Sequence, residues 1–336
     1  MKYGLLIYES YNSRFNIGDY IQGLAAKQFL KEPIIYINRE KLDQYKGEKI
    51  KMILNGWFLH ESDHWPPSEE INPTFVSFHL NSVAYEILDD KKKIDYFKKH
   101  EPIGCRDKKT RDLLINKGIN AFFSGCLTLT LSKTYKLIKE RSNKVYFVDP
   151  YYSKEISVKK IISILKMTLL YFPKIIALTK KMFNKLELKN YYKAASFFMQ
   201  YKSVFEIEML LNSDYLTHIV DDTFFKNEND KFSYAEELLF KYAEAKLVIT
   251  SRIHCALPCL SLETPVLYTD ASYNSETSAC RLDGIKELFH ILSVNTKTIK
   301  GELMKENQKI NSKFSFKNKD KYIKLKNGLI NSLKDF

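Results

Sequence analysis

Cysteine is scarce and odd in number, with Cys105, Cys126, Cys255, Cys259 and Cys280 scattered over 336 residues. That distribution argues against a disulfide framework and for a reducing compartment, so a cytoplasmic location is expected. Residues 1 to 20 contain no long apolar h-region and no small-residue cleavage site, which leaves no secretory signal to expect. No continuous apolar run reaches the roughly 18 residues of a membrane span. Three catalytic signatures are missing: the phosphate-cradling Gly-x-x-x-x-Gly-Lys, the nucleophile elbow Gly-x-Ser-x-Gly and the zinc motif His-Glu-x-x-His. P-loop kinase, serine hydrolase and zincin chemistries therefore lose support. Cys255 and Cys259 sit beside His254, but no second Cys/His pair stands at structural-zinc spacing, so no metal is expected.

What is present is ordinary for a folded chain. Hydrophobic residues make up 45% and charged residues 28%. The length exceeds what one core usually fills, which predicts two domains. A formal net charge of +13 points to negative partners: phosphorylated metabolites, anionic lipid or nucleic acid. Nucleic acid is set aside, because neither a recognisable module nor a basic stripe with aromatic platforms is found.

Short apolar runs recur at residues 3 to 8, 33 to 37, 51 to 54, 75 to 78, 103 to 105 and 121 to 123. Helical spacing follows the first (Ile21, Leu24, Ala25, Phe29), and another helix is expected over 108 to 117. A second series of runs lies at 144 to 148, 217 to 220, 247 to 250 and 265 to 268, with helices over 233 to 245 and 253 to 262. Such alternation predicts an α/β protein of two domains with mostly parallel sheets, residues 1–135 and 143–305, and a ligand cleft between them. The polar stretch 132 to 143 is the linker candidate. An apolar stripe at Tyr322, Leu325, Leu329, Ile330 and Leu333 predicts a closing helix within 306–336.

Residues 158–189 depart from this pattern. Apolar positions are interrupted by seven lysines, and no acidic residue appears before Glu187. This predicts a basic amphipathic helix pair broken near Pro173. Two fates are open: a core-facing helix with solvated lysines, or a helix lying in an anionic membrane interface at the inner face of the plasma membrane.

The sharpest candidate site is Thr250-Ser251-Arg252-Ile253-His254, where an apolar strand turns into an apolar helix. Ser251 is expected to cap that helix, the positive helix end to attract anions, and Arg252 to offer a planar fork to carboxylate or phosphate. His254 adds a group suited to general acid work. Gly104-Cys105-Arg106-Asp107 repeats the strand-to-helix pattern, with Arg106 at the turn and Asp107 able to cap. Asn16-Ile17-Gly18-Asp19 opens the first helix, where glycine admits close approach and Asp19 supplies a carboxylate. Asn55-Gly56-Trp57 and Ser124-Gly125-Cys126 follow apolar runs at strand ends, and Trp57, Trp65 and Pro66-Pro67 could form an aromatic wall for a sugar.

In order and spacing these segments resemble the polysaccharide pyruvyl transferase family. The carrying residues are Asn16-Ile17-Gly18-Asp19-Tyr20-Ile21-Gln22, Ile53-Leu54-Asn55-Gly56-Trp57, Gly104-Cys105-Arg106-Asp107, Phe123-Ser124-Gly125-Cys126-Leu127-Thr128-Leu129-Thr130 and Thr250-Ser251-Arg252-Ile253-His254. The resemblance implies two Rossmann-like domains in a GT-B-like arrangement and pyruvyl transfer from phosphoenolpyruvate, as co-substrate and without a further cofactor, to a sugar in bacterial surface polysaccharide biosynthesis. It implies catalytic roles for His254 (proton donor), Arg106 and Asp19 (base or orienter). Arg252, Ser251, Asn16, Gly18, Asn55, Gly56, Asp107, Ser124 and Gly125 would bind substrate. The acceptor would be a sugar or a lipid-linked oligosaccharide. A GT-B-like glycosyltransferase using a nucleotide sugar, and a non-catalytic glycan- or anion-binding protein, fit the same residues.

Overall fold

The computed structural model describes residues 2–58, 62–153, 156–271, 282–294, 299–304 and 308–336; Cys280 lies outside them. The first half runs through β1 (Lys2–Ile7), β2 (Arg14–Asn16), α1 (Ile17–Lys27), β3 (Ile34–Asn38), β4 (Ile50–Phe58) and β5 (Ile71–Leu80). It ends with α2 (Lys91–Lys99), β6 (Ile103–Cys105), α3 (Lys108–Asn116) and β7 (Ala121–Phe123). The second half holds β8 (Val145–Val148), α4 (Val158–Phe183), α5 (Leu188–Tyr201), α6 (Ile207–Asn212), β9 (Asp214–Leu216), β10 (Ile219–Asp221), α7 (Glu228–Glu244) and β11 (Leu247–Thr250). Then come α8 (Ile253–Ser261), β12 (Val266–Ala271), β13 (His290–Val294), β14 (Ile299–Gly301) and α9 (Lys321–Ser332).

Two six-stranded sheets result. The first has the order β3-β1-β4-β5-β6-β7 and is parallel throughout. The second has the order β9-β8-β11-β12-β13-β14, parallel except for the edge strand β14. Both follow one scheme. The second strand in chain order lies to one side of the first, and all later strands lie to the other. Chain direction across the sheet therefore reverses between β1 and β4 and again between β8 and β11, and the strand carboxyl ends at such reversals open a crevice.

The sheets share a core. Tyr146, Val148, Val248 and Val266 of the second sheet belong to the same buried cluster as the first sheet and helices α1, α7 and α8. Their strand neighbours Val145, Phe147, Leu247 and Ile249 face the other way, into a separate cluster with Ile175 and Leu178 of α4 and Phe197 and Phe198 of α5. Side chains alternate across a strand, so a sheet covered on both faces needs uninterrupted apolar runs, which is what β8 and β11 have. Helix α9 returns to the first half, where Leu325 packs over the Cα of Gly125 and the terminal Phe336 ring meets Tyr3. The link between the sheets, residues 134–144, has no regular structure but is pinned. Arg141 donates to the carbonyls of Ala243 and Leu262 and to Thr264 Oγ1.

One apolar run behaves differently from expectation. Residues 217 to 220 do not form a strand of the second sheet; that place is taken by β9, three residues earlier. The chain breaks at Thr217 and His218, and β10 leaves the sheet to pair antiparallel with β2, placing Ile219 opposite Asn16 and Asp221 opposite Arg14. β2 itself is presented by a tight turn in which Asn12 and Ser13 both have positive φ, 48° and 56°, the geometry of a type I′ hairpin. This ribbon stitches the two halves together beside the crevice.

Candidate active site

Both sheet reversals open into one cleft of about 800 Å³. From the first sheet come Tyr8 and Glu9 after β1 and Trp57 in the last turn of β4; from the second come Ser251, Arg252, Ile253 and His254 after β11. The ribbon adds Arg14, Phe15, Asn16, His218 and Ile219, and Asp19, Arg39, Arg106, Tyr268 and Leu282 complete the wall. Four arginines thus face two carboxylates, Glu9 and Asp19. The hydrogen bond from Lys41 holds the Glu9 carboxyl below its ordinary value. An anion is the ligand this charge balance selects.

Asp149, the residue after β8, organises the second-sheet side. Its backbone is left-handed at φ 41°, a conformation that costs a non-glycine residue about 1 to 3 kcal/mol and recurs at functional sites. Its Oδ2 accepts from Arg252 Nε at 2.9 Å and from the His218 N–H at 2.9 Å, while its carbonyl accepts from Ser251 Oγ at 2.6 Å. Ser251 therefore does not cap α8 as expected, because its hydroxyl is drawn to the Asp149 carbonyl. The cap position is Arg252, whose side chain makes no capping hydrogen bond, and Thr250 Oγ1 accepts the Arg252 N–H. The start of α8 is thereby left facing the cleft, its positive end directed at a ligand.

The helix starts of the two halves converge at Gly18. A Cβ there would lie 3.1 Å from His254 Cβ and 3.2 Å from His218 Nδ1, so glycine is what lets α1 approach α8. Asn16 caps α1 by accepting the Gly18 N–H at 3.1 Å. Asp19 accepts from Gln22 Nε2 at 3.0 Å. Asn55 and Gly56 act behind this pair rather than in the cleft. Asn55 Nδ2 donates to the Gln22 carbonyl at 3.0 Å, and the Gln22 amide oxygen rests on Gly56, whose φ of 107° excludes a side chain without strain. Arg106 is 1% exposed, yet it lines the cleft. Arg39 lies over the rings of Tyr8 and Trp57, 4.9 and 5.5 Å from their centroids. Burial first, and then the Asp19 charge, push the Tyr8 phenol up, and its buried hydroxyl has no hydrogen-bond partner among the described residues.

The profile of the polysaccharide pyruvyl transferase family matches residues 16–273, a span that takes in Asn16, Asp19, Arg106, Asp149, His218, Arg252 and His254. The chain belongs to the polysaccharide pyruvyl transferase family. No curated protein matches it significantly. A solved structure of an uncharacterized protein from Klebsiella pneumoniae subsp. pneumoniae NTUH-K2044 is similar at 14% identity. The match covers 82% of this chain and 86% of that one, with a TM-score of 0.42.

In this pyruvyl transferase family member Asp107, Ser124 and Gly125, like Asn55 and Gly56, are not among the residues that line the cleft. Asp107 caps α3 through the Thr110 N–H at 2.8 Å and accepts from His79 Nδ1 at 2.5 Å, both side chains fully buried. Burial pushes the Asp107 carboxyl up, but the His79 hydrogen bond and charge, with Arg106 and the Thr110 N–H, outweigh it and hold it below the ordinary range. Ser124 ties three strand ends together, donating to the Cys105 carbonyl at 3.0 Å and accepting from the Ser77 N–H at 3.1 Å. Gly125 sits at φ 73° under α9. Of the expected aromatic wall, Trp57 lines the cleft, whereas Trp65 is buried among Phe58, Phe75, Tyr96 and Phe97. Among the described residues no group of three or more His, Cys, Asp or Glu side chains could hold a metal ion.

Proposed function

We propose that this transferase moves the pyruvyl group of phosphoenolpyruvate onto a sugar as a cyclic ketal. The observation that carries this reading is the gathering of Arg14, Arg39, Arg106 and Arg252 with the positive end of α8 around one cleft that also holds Asp19 and His254. A small ligand bearing both a phosphate and a carboxylate matches that set better than a singly charged one.

In this reading Arg252 and Arg106 hold the carboxylate and phosphate. Asp149 fixes the Arg252 fork, since an arginine locked by a second partner loses less freedom on binding. His254 gives its proton to the terminal methylene carbon, turning it into a methyl group and leaving the central carbon electron-poor. Asp19 takes the proton of the first sugar hydroxyl as its oxygen bonds to the central carbon. The second hydroxyl then bonds there as the carbon–oxygen bond to phosphate breaks, and its proton leaves with the phosphate. The methyl group thus holds the proton of His254 and the phosphate that of the second hydroxyl, while the proton taken by Asp19 leaves to solvent, from which His254 is reprotonated for the next turnover. Trp57, half-buried in the cleft wall, supplies an aromatic surface for the sugar ring.

The test is phosphate release from phosphoenolpyruvate in the presence of a panel of hexoside acceptors, with the ketal methyl group identified by NMR. Release of nucleoside diphosphate from a nucleotide sugar, with no phosphate from phosphoenolpyruvate, would replace this reading by glycosyl transfer.

A further inference from the structure

Helix α4 is two helices in one. Tyr171 leaves helical geometry at φ −132° and ψ 21°, two residues before Pro173. Beyond the kink, Ile175, Leu178 and Thr179 are buried against the second sheet's outer core. Before it, only Ile164 and Met167 are buried, and the rest of the apolar surface points outward. Val158, Ile161, Ile162, Leu165 and Leu169 recur at three- and four-residue spacing, so they form one continuous stripe on the face away from the protein. Leu169 is 85% exposed, Leu170 beside it 75%, and Leu188 at the start of α5 is 91% exposed. The second half of α4 is thus a core helix, whereas the first half leaves its apolar stripe exposed.

We propose that the first half of α4 docks on an anionic bilayer surface, lying in the interface with its apolar stripe among the acyl chains. Charge picks this occupant. The docking half, residues 158–170, carries Lys159, Lys160 and Lys166 and no aspartate or glutamate, and Lys159 and Lys166 border the stripe along one side, where lipid headgroups would sit. An apolar stripe bordered by lysine is the pattern of interfacial helices, in which burial and attraction to anionic lipid add. By length and composition α4 is also the one described helix that could cross a membrane. Its second half, however, is committed to the core. Residues 158–170 extend only about 20 Å at about 1.5 Å per residue, short of a hydrocarbon layer of about 30 Å. The helix lies on the bilayer rather than through it.

The placement of this face has a consequence for the cleft. A second groove of about 1510 Å³ shares Arg14, Ile219, Ser251 and Arg252 with the cleft and reaches Phe183 at the end of α4 and Lys193 on α5. Lys160 on the docking half of α4 donates to the Ser153 carbonyl at 2.6 Å, next to Tyr152 in the groove wall. A sugar carried on a lipid at that surface would have the groove as its path to Arg252, a corollary that rests on the transferase reading. The docking itself does not.

Flotation of the full chain with phosphatidylglycerol–phosphatidylcholine vesicles, against phosphatidylcholine alone, tests the docking. The chain is expected to float with the anionic vesicles only. Replacing Leu165, Leu169 and Leu170 together by Glu should cut the floated fraction by about tenfold with an unchanged melting temperature, since all three are exposed. Leu169→Trp should shift its emission to the blue when anionic vesicles are added. The proposal is overturned if the wild-type chain stays at the bottom with anionic vesicles, or if the triple variant floats as well as wild type. It is equally overturned if the bound chain resists carbonate extraction, as a spanning helix would, or if light scattering shows a dimer that the triple variant dissolves.

Discussion

Asp149 accepts from Arg252 Nε at 2.9 Å while its own backbone is held left-handed by the turn after β8, so the strain of one residue sets the aim of the other. Asp149→Ala keeps the arginine but releases it. A misplacement of about 1 Å costs roughly a hundredfold in rate. We therefore expect kcat/KM to fall by about that factor, with KM for phosphoenolpyruvate raised, and steady-state kinetics measure both.

His254 is expected to act on the reacting carbon rather than in binding. His254→Gln should lower kcat by about 10² to 10⁴ while leaving KM for the donor within a few-fold. Solvent deuterium appears in the ketal methyl group if the proton comes from an exchangeable donor, and mass spectrometry of the product reads it. A KM effect alone would return His254 to a binding role.

Gly18 marks where α1 meets α8. Gly18→Ala puts a methyl group 3.1 Å from His254 Cβ and 3.2 Å from His218 Nδ1, about 0.5 Å inside ordinary contact. Overpacking of this kind costs about 1 to 3 kcal/mol, and here it also parts the two helix starts. We expect a lower melting temperature together with a loss of activity larger than the stability change explains. An unaltered kcat/KM would show that the approach at Gly18 is not needed.

The buried Asp107–His79 pair predicts a specific acid sensitivity. The Asp107 carboxyl lies below its ordinary value in the folded chain, so its stabilisation is present above the unfolded value of about 3.9 and is lost as pH falls through the folded value. Asp107→Asn should remove that part of the acid slope and cost about 1.5 to 3 kcal/mol at neutral pH, the range for a hydrogen bond to a charged group. Denaturant melts from neutral pH to about pH 3 check both.

Much of this was legible in the sequence because it is local. The apolar runs at 103 to 105, 121 to 123 and 247 to 250 coincide with β6, β7 and β11, and Arg252 and His254 stand at the strand-to-helix turn that their pattern predicts. Tyr8 ends an apolar run and Glu9 and Asp149 directly follow one, so the strand pattern marks their positions although no motif singles them out. Arg14 and His218 had no local signal. They meet the cleft only because β2 pairs with β10 across more than 200 residues, a long-range register that periodicity does not encode. Side-chain direction is not legible locally either. Ser124 and Asp107 follow strand ends and Asn55 lies within β4, but their side chains turn inward to meet Gln22, Cys105, Ser77 and His79, where a buried polar group must find a partner.

The most direct test of the central claim is a thermal-shift titration of the purified chain with phosphoenolpyruvate, beside nucleotide sugars, repeated on Arg252→Ala. A ligand that binds only the folded state adds about 2.7 kcal/mol of apparent stability at about a hundredfold excess over Kd. The account predicts a saturable rise in melting temperature with phosphoenolpyruvate that Arg252→Ala abolishes. A rise with a nucleotide sugar and none with phosphoenolpyruvate would contradict it.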